Sequence, residues 1–209
     1  MTTIAVLAVQ GAFIEHQRRL EALGCTVRQL RHEADLQHSF DGLVLPGGES
    51  TVQAKLLRDT GLFAPLRTLI QEGLPVLGTC AGLILLAQHL DGSGDTTNLD
   101  RQLAAKRTAV DGFRTLPVTV QRNAYGRQLG SFHAEGLWLE DGAAHPDGAP
   151  LPLTFIRAPR IENVGPAVQT LVTYQDAPVA VRYRNQIGAA FHPELDADNR
   201  LYRLFLDLL

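Results

Sequence analysis

The chain has 209 residues, 45% hydrophobic and 20% charged, with a net charge of −3 and a pI near 6.1. This suits one globular domain with its own core and leaves no basic excess for a nucleic-acid face. The opening MTTIAVLAVQGA lacks the basic region and length of a signal peptide, no apolar run is long enough to span a membrane, and two cysteines, Cys25 and Cys80, are too few for a disulfide framework, so a reducing cytoplasm is the expected setting.

TIAVLAV is a short, continuous apolar run ending at Gly11, the pattern of a buried strand. Phe13, Leu20 and Leu23 then recur near helical spacing, and Gly24 predicts the helix cap. CTVRQL is a second strand, and Gly42 to Leu45 a third, broken by Pro46-Gly47-Gly48. Val52, Leu56 and Leu57, followed by Phe63, Leu66, Leu69 and Ile70, predict two helices. PVLG is a fourth strand, and AGLILLAQHL predicts a buried helix, apolar on most faces. Strands alternating with helices imply a parallel sheet covered on both sides. DGSGDTTNLDRQ reads as a loop. Beyond it LPVTVQ, LTFIRA, VQTLVTY, PVAVRY and IGAAF are β-rich and predict mixed and antiparallel strands extending the sheet. Leu201, Leu204, Phe205, Leu208 and Leu209 form the apolar stripe of a closing helix. No linker divides the chain, so residues 1–209 are expected to form a single α/β domain.

Gly78-Thr79-Cys80-Ala81-Gly82 sets a cysteine between the fourth strand and the next helix. G-x-C-x-G there is the thiol form of a nucleophile elbow, a sharp turn that exposes the reactive side chain. Glycines suit the strained turn, the helix N-terminus favours thiolate, and the Ala81 amide is placed to donate to an oxyanion. On the motif alone, a nucleophile and a small buried hydrophobe are equally good readings. Cys25, in LGCTV, fits the second. A nucleophilic thiol wants a base, and the base an orienting group. Of seven histidines, His16, His32, His38 and His89 read as polar or helix-surface positions, and His145 as part of a Gly/Pro loop. His133, in the possible strand GSFHAEG, is a weaker candidate. His192 follows the apolar IGAAF and precedes Pro193-Glu194. Residues two apart in an extended segment point the same way, so Glu194 can orient His192, and Pro193 keeps His192 extended.

G-x-C-x-G with a distant H-P-E resembles the class I (triad) glutamine amidotransferases. LAVQGAFIEH (7–16), LPGGEST (45–51), QRNAYGRQ (121–128), FIRAP (155–159) and GTCAGLILLA narrow the resemblance to the glutaminase subunit of pyridoxal 5'-phosphate synthase, over nearly the whole chain. It implies a single-domain, flavodoxin-like three-layer α/β/α sandwich with a mixed, mainly parallel central sheet. It also implies that Cys80 is the nucleophile, His192 the general base and acid, and Glu194 its orienting partner, with oxyanion donors at the amides of Gly48 and Ala81. Gly48, Glu49, Ser50, Arg122, Ile156 and Arg157 match glutamine-binding positions, and Gln10 falls in a region linked to activation by the partner. A guanidinium suits the α-carboxylate of glutamine by bidentate pairing. Apart from the resemblance, Arg122 and Arg157 read as ordinary surface ion pairs. The substrate implied is L-glutamine and the partner a separate synthase subunit that receives ammonia; no cofactor, metal, nucleic acid or membrane is implied. Residues 91–115 depart from the pattern as a longer, more polar connection, a loop insertion. Glutaminase subunits of the histidine or purine synthesis type are the nearest alternative, which QGAFIEH and FIRAP separate. A cysteine hydrolase or deglycase of the intracellular-protease-like superfamily is more distant, since there a histidine follows the nucleophile and here Ala81 does.

Overall fold

The computed structural model describes residues 2–91, 110–122, 124, 130–140, 143–144 and 149–209. Strands and helices alternate through the first half: β1 (Thr3–Leu7), α1 (Phe13–Ala22), β2 (Thr26–Leu30), β3 (Gly42–Leu45), α2 (Ser50–Asp59), α3 (Phe63–Gln71), β4 (Val76–Thr79) and α4 (Ala81–Leu86). Ile4 to Leu7, Leu43 to Leu45, Val76 and Leu77 are all buried, whichever way the pleat turns them. Strands buried on both faces need continuous rather than alternating apolar residues, which is how these runs are written. α1 stops where Gly24 takes φ +85, a cap open to glycine at little cost.

The second half is rich in strands: β5 (Ala87–Asp91), β6 (Leu116–Gln121), β7 (Ser131–Glu140), β8 (Ala143–Ala144), β9 (Leu151–Ile156), β10 (Arg160–Val164), β11 (Gln169–Tyr174), β12 (Ala177–Tyr183) and β13 (Gln186–Ala189). α5 (Arg200–Leu206) closes the described fold. The main sheet runs β2-β1-β3-β4-β13-β12-β11-β7, with β8 and β9 both paired to β7. Its first five strands are parallel, and β12, β11 and β7 continue it antiparallel. The result is a single α/β domain with a mixed central sheet, parallel across the half that carries the site.

Two features differ from the sequence expectations. The predicted helix over AGLILLAQHL ends at Leu86, because the returning chain takes over its last carbonyls: Phe113 N–H donates to Leu85 O at 2.6 Å and Thr115 N–H to Leu86 O at 2.9 Å. Ala87 turns extended (φ −55, ψ 134) and residues 87–91 become β5. Nor do all the later strands extend the main sheet, since β5, β6 and β10 form a separate three-stranded one. In α5, Leu201, Tyr202 and Phe205 are buried, whereas Leu209, beyond the helix end, is 44% exposed. Residues 92–109, most of the predicted insertion, lie outside the described residues, as do His145 and all of QRNAYGRQ except Gln121, Arg122 and Ala124. Among the described residues no helix is long and apolar enough to cross a membrane.

Register brings the functional candidates to one edge. Leu45 of β3 pairs with Gly78 of β4, and Thr79 of β4 with Ala189 of β13. The chain therefore leaves all three parallel strands at their carboxyl ends within about one residue of each other, as Pro46-Gly47, Cys80 and Ala190-Phe191-His192. That edge is where parallel α/β sheets present ligand sites.

Candidate active site

Cys80 joins β4 to α4 with φ +48 and ψ −99. A residue with a Cβ takes such a conformation at a cost of about 1–3 kcal/mol, and only where its surroundings impose it. Here the Cys80 amide donates to Ala189 O at 2.8 Å, and glycines on both sides let elements close in. A Cβ on Gly78 would fall 2.7 Å from Leu86 Cδ1 and 2.8 Å from Gly82 C, and one on Gly82 would overlap the Leu45 carbonyl. The elbow is thus fixed by backbone packing. Cys80 is almost fully buried, with Sγ 3.9 Å from Ile156 O at the end of β9. Cys25 is a buried free thiol immediately before β2 whose pKa is pushed up by burial, in keeping with a packing role.

His192 is held from two sides. Its amide donates to Thr154 O at 2.8 Å, and its Nδ1 lies 2.6 Å from Glu194 Oε1. Both side chains are buried. The two do meet, but not by alternation along an extended segment: His192 (φ −109, ψ 82) leads into a 3₁₀ turn, Pro193–Leu195, whose tightness returns Glu194 beneath the ring. Nε2 of His192 is buried with no hydrogen-bond partner in good geometry among the described residues, and the Cys80 thiol acts on the ring. Burial disfavours the imidazolium, yet hydrogen bonding with Cys80 and Glu194 and their charges outweigh it, raising the His192 pKa to about 10. Glu194 is held below the usual carboxylate range: burial opposes its charge, and His16 and His192 more than compensate. His133 takes another role, with Nδ1 3.0 Å from the Thr154 hydroxyl on the neighbouring strand.

The glycine turn after β3 packs directly on this pair. A Cβ on Gly47 would overlap Cε1 of His192 and sit 3.0 Å from its Nδ1 and 3.4 Å from Cβ of Cys80. Ala12 N–H donates to Gly47 O at 3.0 Å, so the trans peptide aims the Gly48 N–H the opposite way. Gln10 clamps the same turn. Its Oε1 accepts from Glu49 N–H at 2.9 Å, and Gln53 Nε2 donates to both Gln10 O (3.0 Å) and Pro46 O (3.2 Å). Glu49 caps α2 through the amides of Thr51 and Val52, and its Oε1 is 3.2 Å from Arg122 Nη2. Burial opposes its charge, but the Thr51 hydroxyl, these amides and Arg122 hold its pKa down. Ser50, the first residue of α2, is buried. Arg157 follows Ile156 with φ +44, its amide on Gly130 O at 2.6 Å and its side chain exposed. The Gly47 turn and the Ile156 carbonyl thus border Cys80, Gln10 holds that turn, Arg122 reaches it through Glu49, and Arg157 follows Ile156.

His16 is the clearest departure. Read from sequence as a helix-surface histidine, it is wholly buried, with Nε2 3.3 Å from Glu194 Oε2. The signal was present: positions 13, 16, 20 and 23 share one helical face, so His16 sits on the core-facing stripe of α1. Arg19, one turn on, donates from Nε to Glu194 O at 3.3 Å and from Nη2 to Asp196 O.

Fold and side chains together define an α/β protein that presents a cysteine elbow to a buried histidine–glutamate pair. The same fold occurs in a solved glutamine amidotransferase, 35% identical, covering 98% of this chain and 97% of that one with a TM-score of 0.82. The chain matches the SNO glutamine amidotransferase family over residues 6–209, and it belongs to that family. It is 50% identical to pyridoxal 5'-phosphate synthase subunit PdxT of Desulfitobacterium hafniense (strain Y51), covering 98% of this chain and 92% of that one. The PdxT of Methanocorpusculum labreanum is 46% identical, over 99% of this chain and 97% of its own.

Proposed function

We propose that this chain is the glutaminase subunit of a pyridoxal 5'-phosphate synthase, hydrolysing L-glutamine to L-glutamate and ammonia. The observation that carries the reading is the positive-φ cysteine set against the buried His192–Glu194 pair. With its raised pKa, His192 is an imidazolium at neutral pH, the form that can both hold a thiolate and protonate a leaving group. Sγ of Cys80 attacks the side-chain carboxamide carbon, and the amides of Ala81 and Gly48 stabilise the tetrahedral oxyanion. The C–N bond breaks as His192 gives its proton to the departing nitrogen, releasing ammonia and leaving a γ-glutamyl thioester. His192 then takes a proton from water, whose oxygen attacks the thioester; glutamate leaves and the thiolate returns. Glu194 orients the ring throughout.

Glutamine binds across Gly48, Glu49, Ser50, Arg122, Ile156 and Arg157. The cationic charge of Arg122 and Arg157 suits the α-carboxylate, and the Ile156 carbonyl lies beside the thiol where the carboxamide reacts. Ammonia passes to a separate synthase subunit, in a reducing cytoplasm where both cysteines remain thiols. Gln10 couples docking of that subunit to the oxyanion turn, since its side chain holds the Glu49 amide. Glutamate release, assayed for the lone chain and again with the synthase subunit added, tests the reading. Stimulated release is expected, and none under either condition would end it. A high rate indifferent to the synthase would remove the coupling through Gln10 but leave the hydrolysis.

A further inference from the structure

One carboxylate oxygen of Glu194 is engaged by His192, and the other faces a second buried histidine for which the hydrolysis gives no role. We propose that His16 is a positioning residue: its Nε2–H, set in that tautomer by the Tyr202 hydroxyl and given to Thr79 Oγ1, lays its positive end beside Glu194 Oε2 and so keeps Oε1 on His192.

The cluster draws one group from each of four elements. His16 comes from α1, Thr79 from the end of β4, Glu194 from the 3₁₀ turn and Tyr202 from α5. Nε2 of His16 lies 3.0 Å from Thr79 Oγ1 and 3.3 Å from Glu194 Oε2, and its Nδ1 lies 2.6 Å from the Tyr202 hydroxyl. His16, Tyr202 and Thr79 have no solvent exposure, and Glu194 almost none.

Proton placement follows from what each group can do. An ionised carboxylate only accepts. A bare Nε2 lying 3.3 Å from Oε2 would set a lone pair beside a buried negative charge, so Nε2 carries the hydrogen; it is given to Thr79 Oγ1, and Oε2, which has no hydrogen-bond partner of its own, takes only the attraction of that N–H. Nδ1 is then the acceptor, and Tyr202 O–H donates to it. The charges agree. Burial lowers the His16 pKa, and the nearby His192 adds to this; the pulls of Glu194 and Glu15 do not overcome them, so the ring is neutral. Burial and the Glu194 charge raise the Tyr202 pKa well above its ordinary value against a smaller pull from Arg19, so its hydroxyl keeps its proton. Neutrality suits the role. A neutral donor orients a carboxylate without cancelling the charge that supports the His192 imidazolium, whereas a cation at position 16 would compete with His192 for it. Arg19, on the same face of α1, holds the main chain of the turn while His16 holds its side chain.

The inference rests on the hydrolytic reading, and the test separates the two. Full-length variants are assayed for glutamate release with the synthase subunit present, and imidazole nitrogen resonances are recorded on the ¹⁵N-histidine-labelled chain. His16→Leu should lower kcat on the order of 100-fold, with KM within about twofold, because the ring touches the orienting group and not the substrate. His16→Gln, whose amide nitrogen can occupy the place of Nε2, should recover most of that rate. Tyr202→Phe should cost about three- to tenfold and shift the His16 signals from the Nε2–H form toward a tautomer mixture. Equal rates for the Leu and Gln variants, or a wild-type His16 in the Nδ1–H form, would overturn the proposal. Should His16→Leu misfold, the Gln and Phe variants and the tautomer readout still decide it. Glutamate release by Cys80→Ala would sink the hydrolytic reading itself. A dead Cys80→Ala beside a folded, fully active His16→Leu would remove the positioning role alone.

Discussion

The two sides of the site are built by different means. Cys80 is placed by backbone: the register of β4 against β13, the amide bond to Ala189, and glycines at 78 and 82 that let Leu86 and Leu45 approach. His192 and Glu194 are placed largely by side chains and carbonyls from distant segments, namely His16, Arg19 and Thr154. A backbone-built half tolerates little change in shape but asks for only one chemical group. A side-chain-built half can be loosened in steps, one hydrogen bond at a time. Substitutions should therefore act as switches on the cysteine side and as graded controls on the histidine side.

The largest effect belongs to the nucleophile. Cys80→Ala or Cys80→Ser should lower glutamate release by roughly three orders of magnitude or more with an unchanged melting temperature, since the elbow's shape does not depend on sulfur. Cys25→Ser should keep most of the activity. Turnover by the Cys80 variants would remove Cys80 from the chemistry.

Two glycines probe the boundary between the halves. Gly82→Ala drives a methyl into the Leu45 carbonyl, a backbone atom that cannot step aside, so the cost should fall on the fold. Overpacking of about 2–3 kcal/mol would lower the melting temperature on the order of 5–10 °C. Gly47 has no positive φ, so alanine is open to its backbone, and what the methyl meets is the His192 ring. Gly47→Ala should therefore melt near wild type while losing on the order of 100-fold in kcat through a displaced base. If both variants lose stability alike, the halves are not separable in this way.

Next in size is the charge on His192. Its pKa rises from the ordinary 6.5 to about 10 on folding. A raised folded-state pKa means the protonated ring stabilises the fold. That contribution is complete below about pH 6.5 and is lost as pH climbs through about 10. Glu194→Gln removes one of the two partners that raise it, so the His192 titration followed by NMR should move down from about 10. Glutamate release should fall by about 10–100-fold, less than for Cys80→Ala, because the thiol still reacts. A titration that stays put would deny Glu194 its orienting role.

The same contrast decides what can be read from the chain. The elbow is local, with five consecutive residues carrying strand end, glycines and thiol, so its conformation is legible as text. H-P-E is legible as a pair, although a 3₁₀ turn rather than strand alternation brings Glu194 to the ring. The supports behind it are not, because His16 is 178 positions from Glu194 and nothing adjacent to it announces a buried partner. Its place on the apolar stripe of α1 was the one local sign. α4 misleads for a related reason. Propensity continues a helix through AQHL, but Phe113 and Thr115 return from beyond the loop to take its last carbonyls, and tertiary bonding ends it early.

The smallest graded step is Arg19. Its guanidinium spans the Glu194 and Asp196 carbonyls, tying α1 to the main chain of the turn, and it is only half-buried. Methionine keeps much of the aliphatic stem and removes the donors. Asp196 is partly exposed and its carbonyl can find water, whereas Glu194 is buried and its carbonyl is left unpaired, so the loss should be about 1–3 kcal/mol of stability. Catalysis should drop less than about tenfold, because His16 still lies against the Glu194 carboxylate. Combined with His16→Gln, which retains the side-chain contact, the effects should add; combined with His16→Leu they should not, since both holds on one turn are then gone. Additivity in both pairs, measured as kcat in a double-mutant cycle, would mean that α1 grips the turn at two independent points. It would show that the histidine side is assembled from separable parts rather than held as one unit by this helix.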